Sequence, residues 1–239
     1  MPELDPVAAY DLLAPSFSAV SKTRERYLRA IEDLIVSAAP KTAASMLDIG
    51  SGDGRRALQI ARQLGIRRVT LLEPSATMRA HWPDDVEGWY VRVEELGSKA
   101  GNFDLITCLW NVLGHVFPTE ARLHALEQMR RLLTANGRLF MDVSHRYNML
   151  HYGRVRTLLR MLRDRFGQDW LSGDVSVRWE VAGGNVHAKG HVFTAAELEA
   201  LARAAGLQIE HRFVVDYATG ELRRSKYQGH LLYQCRRSA

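Results

Sequence analysis

The chain has 239 residues, 46% hydrophobic and 25% charged, a globular balance that excludes intrinsic disorder as its main description and can bury one large core. Basic residues number 32 against 27 acidic, a formal charge of +5, which permits an anionic partner without demanding one. Cys108 and Cys235 have no CxxC spacing, which excludes a zinc knuckle or disulfide scaffold and fits reduced thiols. With no secretory or membrane-crossing apolar run, a cytoplasmic protein without a membrane partner is expected.

In chain order, Tyr27, Ile31, Leu34 and Ile35 fall on one helical face and Pro40 closes the segment, so residues 1–40 read as a helical N-terminal cover. SMLDIG (45–50) is a buried strand, 55–64 a helix stopped by Gly65, and VTLLE (69–73) a second strand leading into a helix entered by Pro74 and Ser75. Strands follow at 89–93 and 103–110 and a helix at 119–133, with Asn136-Gly137 as the turn into a strand at 138–144. This alternation predicts an α/β fold with a parallel sheet covered on both faces. Beyond residue 145 the pattern changes. Residues 154–166 form a basic amphipathic helix with Val155, Leu158, Leu159 and Leu162 on one side, and period-two alternation around Gly183-Gly184-Asn185 predicts a hairpin. Thr194 and Glu197 have capping-box spacing before a helix ending at Gly206, and two strands close the chain. The whole, 1–239, reads as one domain in which 145–193 is inserted over the strands' carboxyl ends.

The sharpest motif is Leu47-Asp48-Ile49-Gly50-Ser51-Gly52-Asp53-Gly54-Arg55, a strand running through a glycine loop into a helix. Such a loop lets a ligand approach the backbone and aims helix amides at it. A dinucleotide GxGxxG needs glycine where Arg55 stands, and a P-loop needs Gly-Lys-Ser/Thr, which is missing. GxGxG remains, with an acid before the first glycine and Glu73 ending the next strand. A carboxylate there can accept both hydroxyls of a ribose.

LDIGSGDG, Glu73 and FDLITCLWNVLGHV together resemble the class I S-adenosylmethionine-dependent methyltransferases, over roughly residues 10–145 plus the terminal strands. The resemblance implies a Rossmann-like doubly wound sheet, mostly parallel with an antiparallel C-terminal strand, and S-adenosylmethionine as cofactor, leaving S-adenosylhomocysteine. It implies that Gly50, Ser51, Gly52 and Gly54 receive the methionyl end while Asp48 holds the loop or meets the amino group. Glu73 and Pro74 border the ribose, and Met78 packs on adenine. The family's usual adenine-side Asp falls on Arg92, so Glu94 or the Val93 backbone takes that place. Cys108, through its backbone, and Leu109 line the donor, the N-terminal helix brings Tyr10, and Arg24 or Arg26 meets the donor carboxylate.

The exit Cys108-Leu109-Trp110-Asn111-Val112-Leu113-Gly114-His115 is similar to the glycine and sarcosine N-methyltransferase group, as is the segment from Met141 to Leu150. That likeness implies a small-molecule amine acceptor. Asn111 would orient the nucleophile and His115 would accept a proton, both facing the donor sulfur if the exit forms a helical turn, and Tyr147 is a third catalytic candidate. Trp110, His145, Arg146 and Trp179 join them as substrate-binding candidates, and His187 and His191 are further pocket candidates; for His145, Tyr147, His187 and His191 alike a structural role is the default. In that group the carboxylate-gripping arginine falls on Ser144, two positions before Arg146. Two other readings stay open. One is a tRNA or rRNA methyltransferase using Arg154, Arg156, Arg160, Arg163, Arg165 and the tail Arg223, Arg224, Lys226, Arg236 and Arg237; the other is a non-catalytic cofactor-binding scaffold. No metal is expected, and the oligomeric state, a dimer included, is left open.

Overall fold

The computed structural model describes residues 3–99, 101–166, 173–181 and 184–238. The N-terminal stretch forms two helices, α1 (Pro6–Lys22) and α2 (Glu25–Ala38), broken at Thr23 and Arg24. Tyr27, Leu28, Ile31 and Ile35 make the buried stripe of α2, the i, i+4 spacing that carries an amphipathic helix onto a sheet.

Seven strands follow in the order β3-β2-β1-β4-β5-β9-β8. They are β1 (Ser45–Ile49), β2 (Arg68–Leu72), β3 (Glu87–Trp89), β4 (Phe103–Cys108), β5 (Leu133–Val143), β8 (Leu207–Val215) and β9 (His230–Arg237). Only β9 runs against its neighbours. All five residues of β1 are buried, because helices lie on both faces of the sheet. The helices α2 and α3 (Arg55–Leu64) pack on one face, α5 (Thr119–Leu132) and α8 (Ala195–Ala204) on the other. The strand order reverses between β1 and β4, and a crevice opens at the carboxyl ends there.

Three sequence expectations need correction. The strand expected at 89–93 lies earlier, at Glu87–Trp89, and Val93–Glu95 forms a 3-10 turn. The helix after Pro74 is one turn, α4 (Ala76–Arg79). Asn136-Gly137 does not turn the chain: β5 runs through it, and the extra residues are absorbed as a bulge, with Phe103 opposite Leu133 and Leu105 opposite Arg138.

Between β5 and α8 the described residues form α6 (Met149–Tyr152), α7 (Arg154–Phe166) and a hairpin of β6 (Asp174–Val181) and β7 (Gly184–His191). Gly183 of the expected turn lies outside the described residues. The hairpin is fastened at two places. The Leu4 amide donates to the His187 carbonyl at 2.9 Å, and His191 reaches Asp174 through Nδ1 and Glu197 through Nε2, each at 2.7 Å. Glu197 also completes the capping box with Thr194, so the start of α8 and the end of the hairpin share one carboxylate.

Candidate functional site

The crevice is an open cleft lined by α1, by the loops after β1 and β2, and by the turn after β4. Its floor is the loop Gly50–Asp53 after β1. Gly50 and Gly52 have φ of +67° and +55°, the left-handed region that favours glycine. A Cβ on Gly50 would stand 2.5 Å from Val112 Cγ2, and one on Gly52 would stand 3.0 Å from Met78 Cε. Side chains there would fill the cradle.

Glu73 stands at the end of β2. Its Oε2 accepts from the Gly52 amide at 3.0 Å and its Oε1 from the Ser75 amide at 2.9 Å. These bonds fix the carboxylate beside the loop and leave each oxygen a free lone pair. Burial raises its pKa, against the backbone bonds that lower it. Asp48 accepts from the Thr107 hydroxyl, and burial pushes its carboxyl up to about 6. Opposite stands Arg56, one turn inside α3. Its Nε donates to Glu32 at 2.9 Å, while its buried Nη2 has no hydrogen-bond partner. Arg56 acts electrostatically on both Asp48 and Asp142. One end of the cleft therefore holds a carboxylate and an unsatisfied guanidinium N–H, a pair suited to the ammonium and carboxylate of an amino acid.

Met78, Val93 and Leu109 supply apolar walls, and α1 closes the top with Val7, Tyr10 and Phe17. His115 lines the same space. Its Nδ1 lies 3.2 Å from the Lys189 carbonyl, a bond only an Nδ1–H can make, so Nε2 carries the lone pair. Burial lowers the pKa of this imidazole. The Tyr10 ring meets His115 edge-on at 5.5 Å and Trp179 at 5.3 Å.

A family model described as a methyltransferase domain matches residues 21–212. The chain belongs to that family. No curated protein matches it. Among solved structures it is similar to a complex of DhpI with S-adenosylmethionine and HEP, at 19% identity and TM-score 0.66 over 99% of this chain and 100% of that one. It is also similar to the CcbJ methyltransferase of Streptomyces caelestis, at 18% identity and TM-score 0.66 over 89% and 96%. A third is the sugar N-methyltransferase KedS8 of Streptoalloteichus, at 17% and 0.59 over 93% of each chain. At such identities the likeness is one of fold. The family match makes this chain an S-adenosylmethionine-dependent methyltransferase, and the cleft fits that donor: a glycine cradle, a carboxylate ending β2, and an orphaned guanidinium N–H.

Of the residues expected to hold the donor, Tyr10, Asp48, Gly50, Ser51, Gly52, Glu73, Pro74, Met78, Val93, Glu94 and Leu109 line the methyltransferase cleft, and so do Trp110 and His115. Several do not. Arg24 lies over the Tyr217 ring, 4.6 Å from its centroid, and Arg56 stands at the cleft instead. Gly54 serves packing, since a Cβ there would meet Leu71 at 2.8 Å. The Cys108 side chain is buried in the core.

Asn111 and His115 do not share a helical face. Trp110 and Asn111 are left-handed, with φ of 60° and 62°, and Val112–His115 is a 3-10 turn. The Asn111 amide instead joins the residue after β5 to the hairpin, accepting from the Ser144 N–H at 2.9 Å and donating to the His191 carbonyl at 3.1 Å. Arg146 and Tyr147 are also engaged elsewhere. Arg146 makes a buried two-point ion pair with Asp164 at 2.6 and 2.9 Å, and the Tyr147 hydroxyl donates to the same carboxylate at 3.0 Å. His145 is buried between Tyr147 and Tyr227. Trp179 touches the site through the rings of Tyr10 and His115.

Sequence reasoning missed Arg56, Phe17, Val7 and Val112. Arg56 carried a signal: a basic residue one turn past the glycine loop on the predicted helix. The others are apolar residues that only the path of α1 and of the turn after β4 brings to the cleft.

Proposed function

We propose that this methyltransferase acts on a small-molecule acceptor at an amine nitrogen. The reading rests chiefly on His115, whose Nε2 lone pair is free while Nδ1–H is tied to the Lys189 carbonyl. The donor supplies an electrophilic sulfonium methyl. Glu73 accepts from the ribose hydroxyls, Asp48 and Arg56 meet the donor's ammonium and carboxylate, and Met78 and Val93 flank the adenine. Trp110 forms the acceptor-side wall. His115 removes the proton that the nitrogen sheds as it gains the methyl group, and the cover formed by α1 and the β6–β7 hairpin excludes water.

Further support comes from the surface. Two arginines of the basic tail are already engaged: Arg223 pairs with Asp216 at 2.6 Å and with Glu221 at 2.7 Å, and Arg236 reaches Glu210 at 3.4 Å. The named neighbours include a sugar N-methyltransferase.

Incubation with S-adenosylmethionine and pooled small metabolites should give products heavier by one methyl group, with amines prominent among the acceptors. His115→Gln should lower turnover roughly 100-fold, the low end of general-base contributions, and leave donor affinity unchanged. Because burial lowers the His115 pKa, wild-type turnover should hold as pH falls through the ordinary imidazole range and drop only below it. Methylation confined to RNA, or to hydroxyl acceptors, would overturn the proposal.

A further inference from the structure

The helix α7 is built inside out. Only Thr157 and Asp164 are buried along it. Asp164 takes the two-point bond from Arg146, the Thr157 hydroxyl donates to the Gly153 carbonyl at 2.8 Å, and Arg160 donates to the Arg146 carbonyl at 2.8 Å. Asp164 and Arg160 thus fasten the inner face to Arg146. The apolar face is consequently turned to solvent: Val155 is 71% exposed, Leu158 55%, Leu159 61%, Leu162 56% and Phe166 82%, with Leu150 of α6 at 52% beside them. A stripe of this size is unusual on a soluble surface and marks a contact.

The charges select what covers it. At 3.6 residues per turn, Arg156 and Arg163 border the stripe on one side and Arg154 and Arg165 on the other. The only acid of the helix, Asp164, is buried. Arg154, Arg156 and Arg165 meet no carboxylate among the described residues. A second copy of the chain would set arginines against arginines, and like charges across an interface oppose it. A nucleic acid would have an apolar stripe running between its phosphate contacts. An anionic phospholipid interface satisfies both parts at once: the apolar ridge enters the acyl boundary, and arginines on both flanks reach headgroup phosphates. We propose that α7 docks this methyltransferase on an anionic phospholipid surface. The contact is peripheral, since no helix among the described residues is long and apolar enough to cross a membrane.

The test is sedimentation of the full chain with vesicles of phosphatidylcholine alone or mixed with phosphatidylglycerol. The wild type should sediment with the mixed vesicles, lose binding at high salt, and remain in solution with phosphatidylcholine alone. Leu159→Asp with Leu162→Asp should weaken the partition by roughly tenfold or more, as expected for losing buried leucines, while calorimetry with S-adenosylhomocysteine shows an unaltered donor site. Arg156→Glu should reduce binding to the anionic vesicles with the apolar stripe intact. No sedimentation with either vesicle, or sedimentation indifferent to Leu159→Asp and Leu162→Asp, would overturn the proposal. So would a dimer in light scattering that Leu162→Asp dissolves, which would assign the face to a second copy.

Discussion

At the residue scale, the orphaned Nη2 of Arg56 makes the sharpest prediction. A buried guanidinium N–H without a partner is costly, and a donor carboxylate would satisfy it. Arg56→Gln should weaken S-adenosylhomocysteine about tenfold or more, the usual worth of a charge-assisted hydrogen bond. It should leave 5′-methylthioadenosine, which lacks the amino-acid tail, unaffected. Equal losses for both ligands in calorimetry would make Arg56 a structural residue held by Glu32. Asp48 carries a pH prediction with two opposite signs. Its folded carboxyl sits at about 6, above the usual value of 3.8. The folded state therefore binds the extra proton first, and the unliganded protein gains stability as pH falls from above 6 towards 4, by at most roughly 3 kcal/mol. Donor affinity should fall over the same window, because a protonated Asp48 no longer attracts the ammonium. Asp48→Asn should flatten both responses in parallel denaturation and calorimetry series.

At the element scale, the exit of β4 is held by its neighbour β5. The Asp142 carboxylate accepts from the Tyr27 hydroxyl at 2.6 Å and from the amides of Trp110 and Asn111. One buried side chain thus joins α2, β5 and the two left-handed residues that aim the 3-10 turn and His115 at the cleft. Asp142→Ala should cost about 3 kcal/mol by leaving buried donors unsatisfied, seen as a lower urea midpoint, and should impair turnover. Asp142→Asn, which keeps one carbonyl acceptor, should cost less. The same element explains why the Asn-x-x-x-His pattern misled: its spacing suits an α-helical face, whereas a left-handed Asn111 followed by a tighter 3-10 turn sends the two side chains apart.

At the scale of the molecule, the cleft joins parts far apart in sequence: α1, the loops after β1, β2 and β3, and the turn after β4. A ligand there bridges the N-terminal helices, the sheet and, through Trp179 and the His115–Lys189 bond, the hairpin. S-adenosylhomocysteine at about 100 times its Kd should stabilise the fold by about 2.7 kcal/mol. For a chain of this size that raises Tm by roughly 5–10 °C, which differential scanning fluorimetry would read. Glu73→Ala should abolish the shift. A shift that survives it would place the donor elsewhere.

The sequence alone determined the strand–loop–helix unit with its three glycines and the acid ending β2. These follow from local rules: apolar runs, glycine punctuation and the 3.6-residue and two-residue periods. It also set out the helix at 154–166 with the right ends and the right apolar face. Only the tertiary structure decided which way that face points, because the choice rests on Asp164 finding Arg146 across the insertion and not on periodicity. The same holds for the arginine at the cleft, where Arg56 replaces Arg24, and for Asn111, whose amide is claimed by Ser144 and His191. Each outcome depends on partners tens of residues away. Such contacts form only when the chain closes, and no local pattern encodes them.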